Sequence, residues 1–277
     1  HTGVFFWKNK RSKGGKMEKE LHITRLTMLW RCGEQYYRRY VKGEIVPPGI
    51  ALIVGSGTHK SVEENLKSKA EKKEMLPKDV VKDIARDYIE KNLLADNVLL
   101  NEEEKEKAFD VIKGEAKDTA VSLSELHYDK LAPKISPVAV EKPFSLEIEG
   151  EDKFTIAGKI DIIEKGRIRD TKTSSRKMPG QADKSLQLTM YALAENINEK
   201  KEIKKVCLDF LIKTKELSFE TQESTRDKKD FDVLINRISN ALKQLKAGIF
   251  PPTNPENWWC SPKFCGYFNT CKYVKNK

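Results

Sequence analysis

Two aspartates and a lysine occupy positions where charge is costly. Asp161 lies near the end of an apolar run spanning 154–163, and Asp170 and Lys172 sit in a second run, 167–173. Both runs have the composition of strands that bury their inward side chains. Successive strand side chains alternate between faces, so Asp170 and Lys172, two apart, point the same way. A buried, unpaired carboxylate is strongly disfavoured unless something compensates it. Two carboxylates brought together suit a hard divalent cation. A lysine on the same face could then orient or deprotonate a water and stabilise charge building on a substrate. A short helical stretch follows, on which Gln187 and Tyr191, four apart, share a face.

The elements that must hold these residues can be read around them. Residues 22–41 are aromatic-rich and helical, with an interruption near Cys32-Gly33. Pro47-Pro48-Gly49 breaks the chain, and a second helix is expected from about Gly57, with His59, Glu63 and Leu66 on one face. Residues 77–94 and 101–131 read as two further helices. The texture then changes: 138–148 is strand-like with an interruption at Pro143, and 154–163 and 167–173 form a hairpin around Lys165-Gly166. A helix over 182–196, a buried strand over 206–212 and a helix over 231–247 complete the order. The expected fold is α/β: a helical N-terminal half, a mixed β-sheet flanked by helices (β-β-β-α-β), and a cysteine-rich tail. Residues 17–277 are expected to form a single domain, divided into a mainly helical part (17–136), the β-β-β-α-β core (137–213) and a helix with the tail (214–277).

Composition narrows the classes. Of 277 residues 34% are charged, mean hydropathy is −0.62, and the formal charge is +10. A soluble protein with no membrane span is expected. The excess of positive charge favours an anionic partner, but five of the 52 basic residues lie in the first 16 positions, which carry no acid; without them the excess over 42 acids is +5. Residues 1–16 read as an appended or disordered basic tail ahead of a plausible start at Met17. No apolar signal segment is visible near the start, so a cytoplasmic setting is expected. Five cysteines, Cys32, Cys207, Cys260, Cys265 and Cys271, are an odd number without that signal, which argues against a disulfide framework. Cys260, Cys265 and Cys271 are close enough in sequence to bind metal. Cys207, in an apolar strand, reads as a small buried hydrophobe. The segment Gly55 to Ser61 (GSGTHKS) resembles the end of a phosphate-binding loop, but His59 stands where a glycine is required.

The ordered set resembles a RecB-family nuclease of the PD-(D/E)XK superfamily. The residues that carry the likeness are Gly55-Ser56 with His59 and Glu63, Gly158 with Asp161, Asp170 with Lys172, and Gln187 with Tyr191. The stretch 26–40 is similar to the family's N-terminal element, with Trp30, Gly33 and Tyr36 at the positions of its Tyr, Pro and Phe. The resemblance implies a restriction-endonuclease-like core. It implies that Asp161, Asp170, His59 and a backbone carbonyl near Thr171 hold Mg²⁺ or Mn²⁺, an imidazole tilting the preference to Mn²⁺. Lys172 would be catalytic, Gln187 and Tyr191 would position water or the nucleic-acid backbone, and Glu141, with Glu63, would support from behind. The implied activity is a metal-dependent exodeoxyribonuclease on single-stranded or end-containing DNA, in repair, recombination or phage metabolism, inside a bacterial or phage-infected cell. A separate helicase or recombination partner is compatible with it. The alternative is a non-catalytic DNA-binding or scaffolding module of the same fold.

The cysteines extend the resemblance. In the iron–sulphur subset of this family, such as the CRISPR-associated exonucleases and the AddB subunit, one N-terminal cysteine joins three C-terminal ones around a [4Fe-4S] cluster. Cys32, Cys260, Cys265 and Cys271 match that set, although the first C-terminal gap is longer than the commoner spacing. Four thiolates suit either the cluster or a structural Zn²⁺. Trp258, Trp259, Phe264, Tyr267 and Phe268 are expected mostly to pack around the group, with base stacking as the other use.

Overall fold

The computed structural model describes residues 20–148, 154–200 and 202–274; the tail expected over 1–16 lies outside them. Three layers are stacked. The middle layer is a six-stranded mixed sheet built from β1 (Glu20–His22), β2 (Ala139–Ile148), β3 (Phe154–Glu164), β4 (Arg167–Ser174), β5 (Lys205–Ile212) and β6 (Ser218–Thr225). The order runs β1-β3-β4-β5-β6, and β2 also pairs with β3. β1 with β3 and β4 with β5 are parallel; the other pairs are antiparallel.

One face is covered by α1 (Ile23–Arg31), α8 (Leu186–Asn198) and α9 (Lys228–Lys246), with Leu26, Ile156, Ile160, Ile168, Leu188 and Ile238 fully buried between them. The other is covered by α3 (Ile50–Lys72), α4 (Lys78–Asn92) and α6 (Phe109–Lys130), over a second core that includes Leu66, Ile89, Leu123, Ile162 and Leu211. The expected fold class is the observed one. No helix among the described residues is long and apolar enough to cross a membrane.

Several boundaries differ from those expected, each for a local reason. α3 begins at Ile50 rather than near Gly57, because the Pro47-Pro48-Gly49 break is immediately followed by helix with Gly49 at its N-cap. The glycines that read as non-helical are close-packing positions. A Cβ at Gly55 would lie 2.9 Å from Thr173 Oγ1, and one at Gly57 3.1 Å from Ile89. GSGTHKS is therefore mid-helix and cannot wrap a phosphate as a loop does. The helix expected over 101–131 is two: Asn101 and Glu104 form a capping box on the single turn of α5 (Glu102–Lys105), and α6 restarts at Phe109. The helix expected over 182–196 is likewise divided into α7 (Gln181–Lys184) and α8, since Ser185 caps the latter through the Leu188 amide. Pro143 does not interrupt β2. It pairs with Lys159 inside the strand, and β2 lies at an edge, where a missing N–H costs no ladder bond. Sequence reading missed β1, which has three residues, and β6, whose alternation is polar on polar.

The N-terminal helices and the C-terminal tail are locked together at Cys32-Gly33. Cys32 is extended (φ −163°, ψ 111°) and ends α1 before α2 (Gly33–Tyr36) begins. The Gly33 amide donates to the Pro251 carbonyl at 2.8 Å. A Cβ at Gly33 would lie 2.6 Å from backbone atoms of Phe250 and Pro251, which cannot move aside as a side-chain tip can. Gly33→Ala is therefore expected to cost about 1–3 kcal/mol by overpacking and to release the tail. Chemical denaturation and limited proteolysis with cleavage mapped beyond residue 249 check this; unchanged stability and protection would contradict it.

Candidate active site

The site forms where two strands part. β3 and β4 are hydrogen-bonded neighbours over three pairs only, from Glu164↔Arg167 to Ile162↔Arg169. The next residues on each strand are Asp161 and Asp170, which face each other where the ladder opens. Below the fork, Arg169 clamps the hairpin and its neighbour: its guanidinium donates to Glu164 at 3.1 Å and to Asp209 on β5 at 2.5 Å.

Each flanking layer contributes a side chain. From α3, His59 Nε2 stands 3.2 Å from Asp161 Oδ2. From α8, the Tyr191 hydroxyl donates to Asp161 Oδ1 at 3.3 Å, and Gln187 Nε2 donates to that hydroxyl at 2.6 Å. Lys172 Nζ donates to Gln187 Oε1 at 3.2 Å and lies 2.7 Å from Asp170 Oδ2. The last contact is an ion pair without hydrogen-bond alignment, so neither Asp170 oxygen has a well-directed partner. Lys172, Gln187, Tyr191 and the two aspartates thus close a circuit. Phe144 supports it, meeting the Tyr191 ring edge-on at 5.8 Å. Gly158 leaves room for Phe144, since a Cβ there would come within 2.9 Å of that ring.

Electrostatics split the two carboxyls. Asp170 is fully buried. Burial pushes its pKa up, Lys172 pulls it down and Asp161 pushes it up again, leaving it well above the usual carboxylate range. Burial also raises Asp161, but the hydrogen bond with His59, the close approach of Asp170 and the charges of His59 and Lys172 outweigh that, so it is held below the usual range. The opposite directions are those of adjoining carboxyls whose charges oppose each other. At His59 burial favours the neutral ring, yet the hydrogen bond and charge of Asp161, with Asp170 and Glu141, raise it overall.

These residues fit a divalent ion. Ligand atoms of His59, Asp161 and Asp170 lie within 4.8 Å of one another, and Asp170 presents buried oxygens without directed partners. His59, Glu63 and Glu141 form a second such set. Glu141 reaches it where the ladder lapses: β2 and β3 keep one register through Val140↔Ile162 and Lys142↔Ile160, Glu141 and Asp161 stand unpaired between them, and the Glu141 φ is +53°. That left-handed conformation is uncommon for a residue with a Cβ and is found where a site re-aims a side chain. Glu63 is also held by Lys60 at 3.0 Å and by Lys67. Thr171 is buried and its hydroxyl has no partner.

The cysteines converge at a separate place. Cys32, Cys260, Cys265 and Cys271 line one cavity, with Glu34, Gln35, Trp259, Tyr267 and Phe268. Burial, then the charges of Cys265, Cys32 and Cys271, raise the Cys260 thiol. Of the five aromatics expected around the thiols, Trp258 and Phe264 do not line the cavity and are 56% and 51% exposed. Cys207 is fully buried, its thiol pushed up to about 12 chiefly by burial. Sequence reading missed Gln35, whose Nε2 donates to Cys265 Sγ at 3.0 Å, and Arg31, which holds the Gln35 carbonyl at 3.0 Å. Their four-residue helical spacing was visible; their partner 230 positions away was not. Phe144 was missed for the same reason.

Residues 20–272 match the family model of the PD-(D/E)XK nuclease superfamily, and the chain belongs to that superfamily. It is similar in structure to a protein from Eubacterium rectale put forward as an exonuclease, at 12% identity and a TM-score of 0.53, over 94% of this chain and 90% of the other. A phage-related exonuclease from Haemophilus somnus matches at 18% identity over 73% of this chain and 94% of the other, with a TM-score of 0.27, too low to carry an argument. No curated protein matches the chain.

A buried carboxyl whose folded-state pKa is raised adds stability at low pH that is lost as pH rises through that pKa. Without divalent ion at neutral pH, Asp170→Asn is therefore expected to be at least as stable as the parent, because the amide has no charge to bury, the gap closing toward acid. Mn²⁺ should raise the melting temperature of the parent and not of Asp170→Asn. Scanning calorimetry across pH, with and without metal, reads both; a less stable metal-free variant would contradict the assignment.

Proposed function

We propose that the chain is a divalent-metal-dependent exodeoxyribonuclease acting on single-stranded or end-containing DNA. The observation that carries this is the fork itself: two carboxylates, an imidazole and a lysine converging within hydrogen-bonding reach in a member of a nuclease superfamily. Asp161, Asp170 and His59 would hold Mg²⁺ or Mn²⁺, with the Thr171 carbonyl beside them. When bound, the ion supplies Lewis acidity and a water of lowered pKa. Lys172 stands between Asp170 and Gln187, where its ammonium can orient the attacking water or offset charge on the phosphoryl oxygens. Gln187 fixes the Lys172 amine through its carbonyl and Tyr191 through its amide. Tyr191 holds Asp161 in the rotamer that faces Asp170. Glu63 and Glu141 steady His59 from the far side.

The preference for free ends rests on the motif resemblance, and so does a setting in repair, recombination or phage metabolism in the cytoplasm of a bacterial or phage-infected cell, alongside a separate helicase or recombination partner. Residues 17–277 act as one nuclease domain. The thiol cavity would hold a [4Fe-4S] cluster, bonding the start of the chain to its end. The choice of the cluster over a structural Zn²⁺ rests on the motif resemblance, since four thiolates suit either group.

With 5′- and 3′-labelled single- and double-stranded DNA, Mn²⁺ or Mg²⁺ should support stepwise release of mononucleotides. Asp161→Ala, Asp170→Ala and Lys172→Ala should each lower the rate by about 10²–10⁴-fold with little change in circular dichroism. Parental cleavage by Asp170→Ala would refute the site. Protein purified anaerobically should be brown and contain iron and sulfide; colourless protein with one equivalent of zinc would replace the cluster and leave the nuclease reading intact.

A further inference from the structure

Across the α1–α9 face lies a cleft of about 220 Å³ that contains none of the residues assigned to the fork. Its walls are the end of α1, with Trp30 and Arg31, the middle of α9, with Arg237 and Gln244, and the tail at Thr253. Two guanidinium groups line it and no aspartate or glutamate does. Neither arginine makes an ion pair with a carboxylate among the described residues. Arg237 stacks on Trp30, its Cζ 5.0 Å from the ring centroid. Stacking occupies the face of a guanidinium and leaves its edge N–H groups free. Arg31 uses one nitrogen on the Gln35 carbonyl and keeps the others.

Thr253 adds a donor by elimination. Its Oγ1 accepts from Asn257 Nδ2 at 2.8 Å and from Trp259 Nε1 at 3.3 Å. A hydroxyl has two lone pairs and one proton, so both acceptor positions are filled and its O–H remains to donate. The adjoining stretch 23–42 carries five basic residues and one acid, so the local field is positive.

We propose that this cleft binds backbone phosphates of a single-stranded nucleic acid, holding the strand away from the scissile bond. A rigid fork of N–H donors matches a phosphate bidentately, and cationic contacts to phosphates position a strand without reading its bases. The inference rests on the nuclease reading for the identity of its anion. A free phosphate or mononucleotide product shares that chemistry, and the test separates the two.

Binding of a fluorescein-labelled oligothymidylate is followed by anisotropy over a salt series, without added divalent ion so that nothing is cleaved. Arg31→Gln with Arg237→Gln should weaken binding at least about tenfold and lower the slope of log K against log salt by about 0.7 per arginine. Gln244→Glu, which keeps both arginines and places a carboxylate in the cleft, should also weaken binding, with unchanged circular dichroism and metal content. Thymidine monophosphate and inorganic phosphate serve as competitors. If they displace the oligonucleotide from the parent at matched phosphate concentration and lose that ability in the variants, the cleft is a product pocket and the strand assignment is wrong. Parental affinity and salt slope in both variants would overturn the proposal alone. No binding of any strand by the parent would overturn the nuclease reading with it.

Discussion

The burial of Asp170 is the constraint around which the rest is arranged. A carboxyl with no exposure, facing a second carboxyl, is unfavourable in any folded chain. It is tolerated because the surrounding structure leaves it nowhere else to go. β4 is paired on both sides up to Arg169, and Asp170 is the first residue beyond the β3 ladder. The buried Arg169 bridge to Glu164 and Asp209 fixes that point, since losing one partner would strand a charge in the core. A divalent ion would convert the same arrangement from a cost into a binding site, because it would compensate both carboxylates at once.

The fork draws on all three layers. α3 delivers His59 from one side only because Gly55 lets the helix approach Thr173 closely. α8 delivers Gln187 and Tyr191 from the other, and Ser185 sets where its first turn begins. Phe144 and Gly158 then limit how Tyr191 can tilt. Each contact is modest, but all constrain the same few atoms. Preorganisation of this kind places polar groups before a substrate arrives, so little rearrangement remains for the chemical step.

The ends of the chain meet in a second centre. The Gly33 contact with the tail, the Gln35 hydrogen bond to Cys265 and stacking of Phe250 on Tyr36 (5.9 Å between centroids) bring residues 32 and 260–271 to one cavity. A group bound there would cross-link a loop of more than 200 residues, restricting the unfolded chain far more than a local bridge does. The arginine-lined cleft shares Cys32, Pro252 and Thr253 with that cavity, so order in the tail also shapes a wall of the cleft.

Much of this was legible in residue order. Asp170 and Lys172 share a face because strands alternate, and Gln187 and Tyr191 share one because helices turn every 3.6 residues; both are local rules and both hold in the structure. The α/β class, the Lys165-Gly166 hairpin and the family likeness followed from the same short-range patterns. Helix starts and breaks were less legible, since Gly55 and Gly57 look like helix breakers until their packing against Thr173 and Ile89 is known. What only the tertiary structure decided are contacts between distant positions: Phe144 behind Tyr191, Gln35 on Cys265, and Arg31 beside Arg237. No spacing rule links residues so far apart, because their proximity is set by how the layers pack and not by the period of any one element.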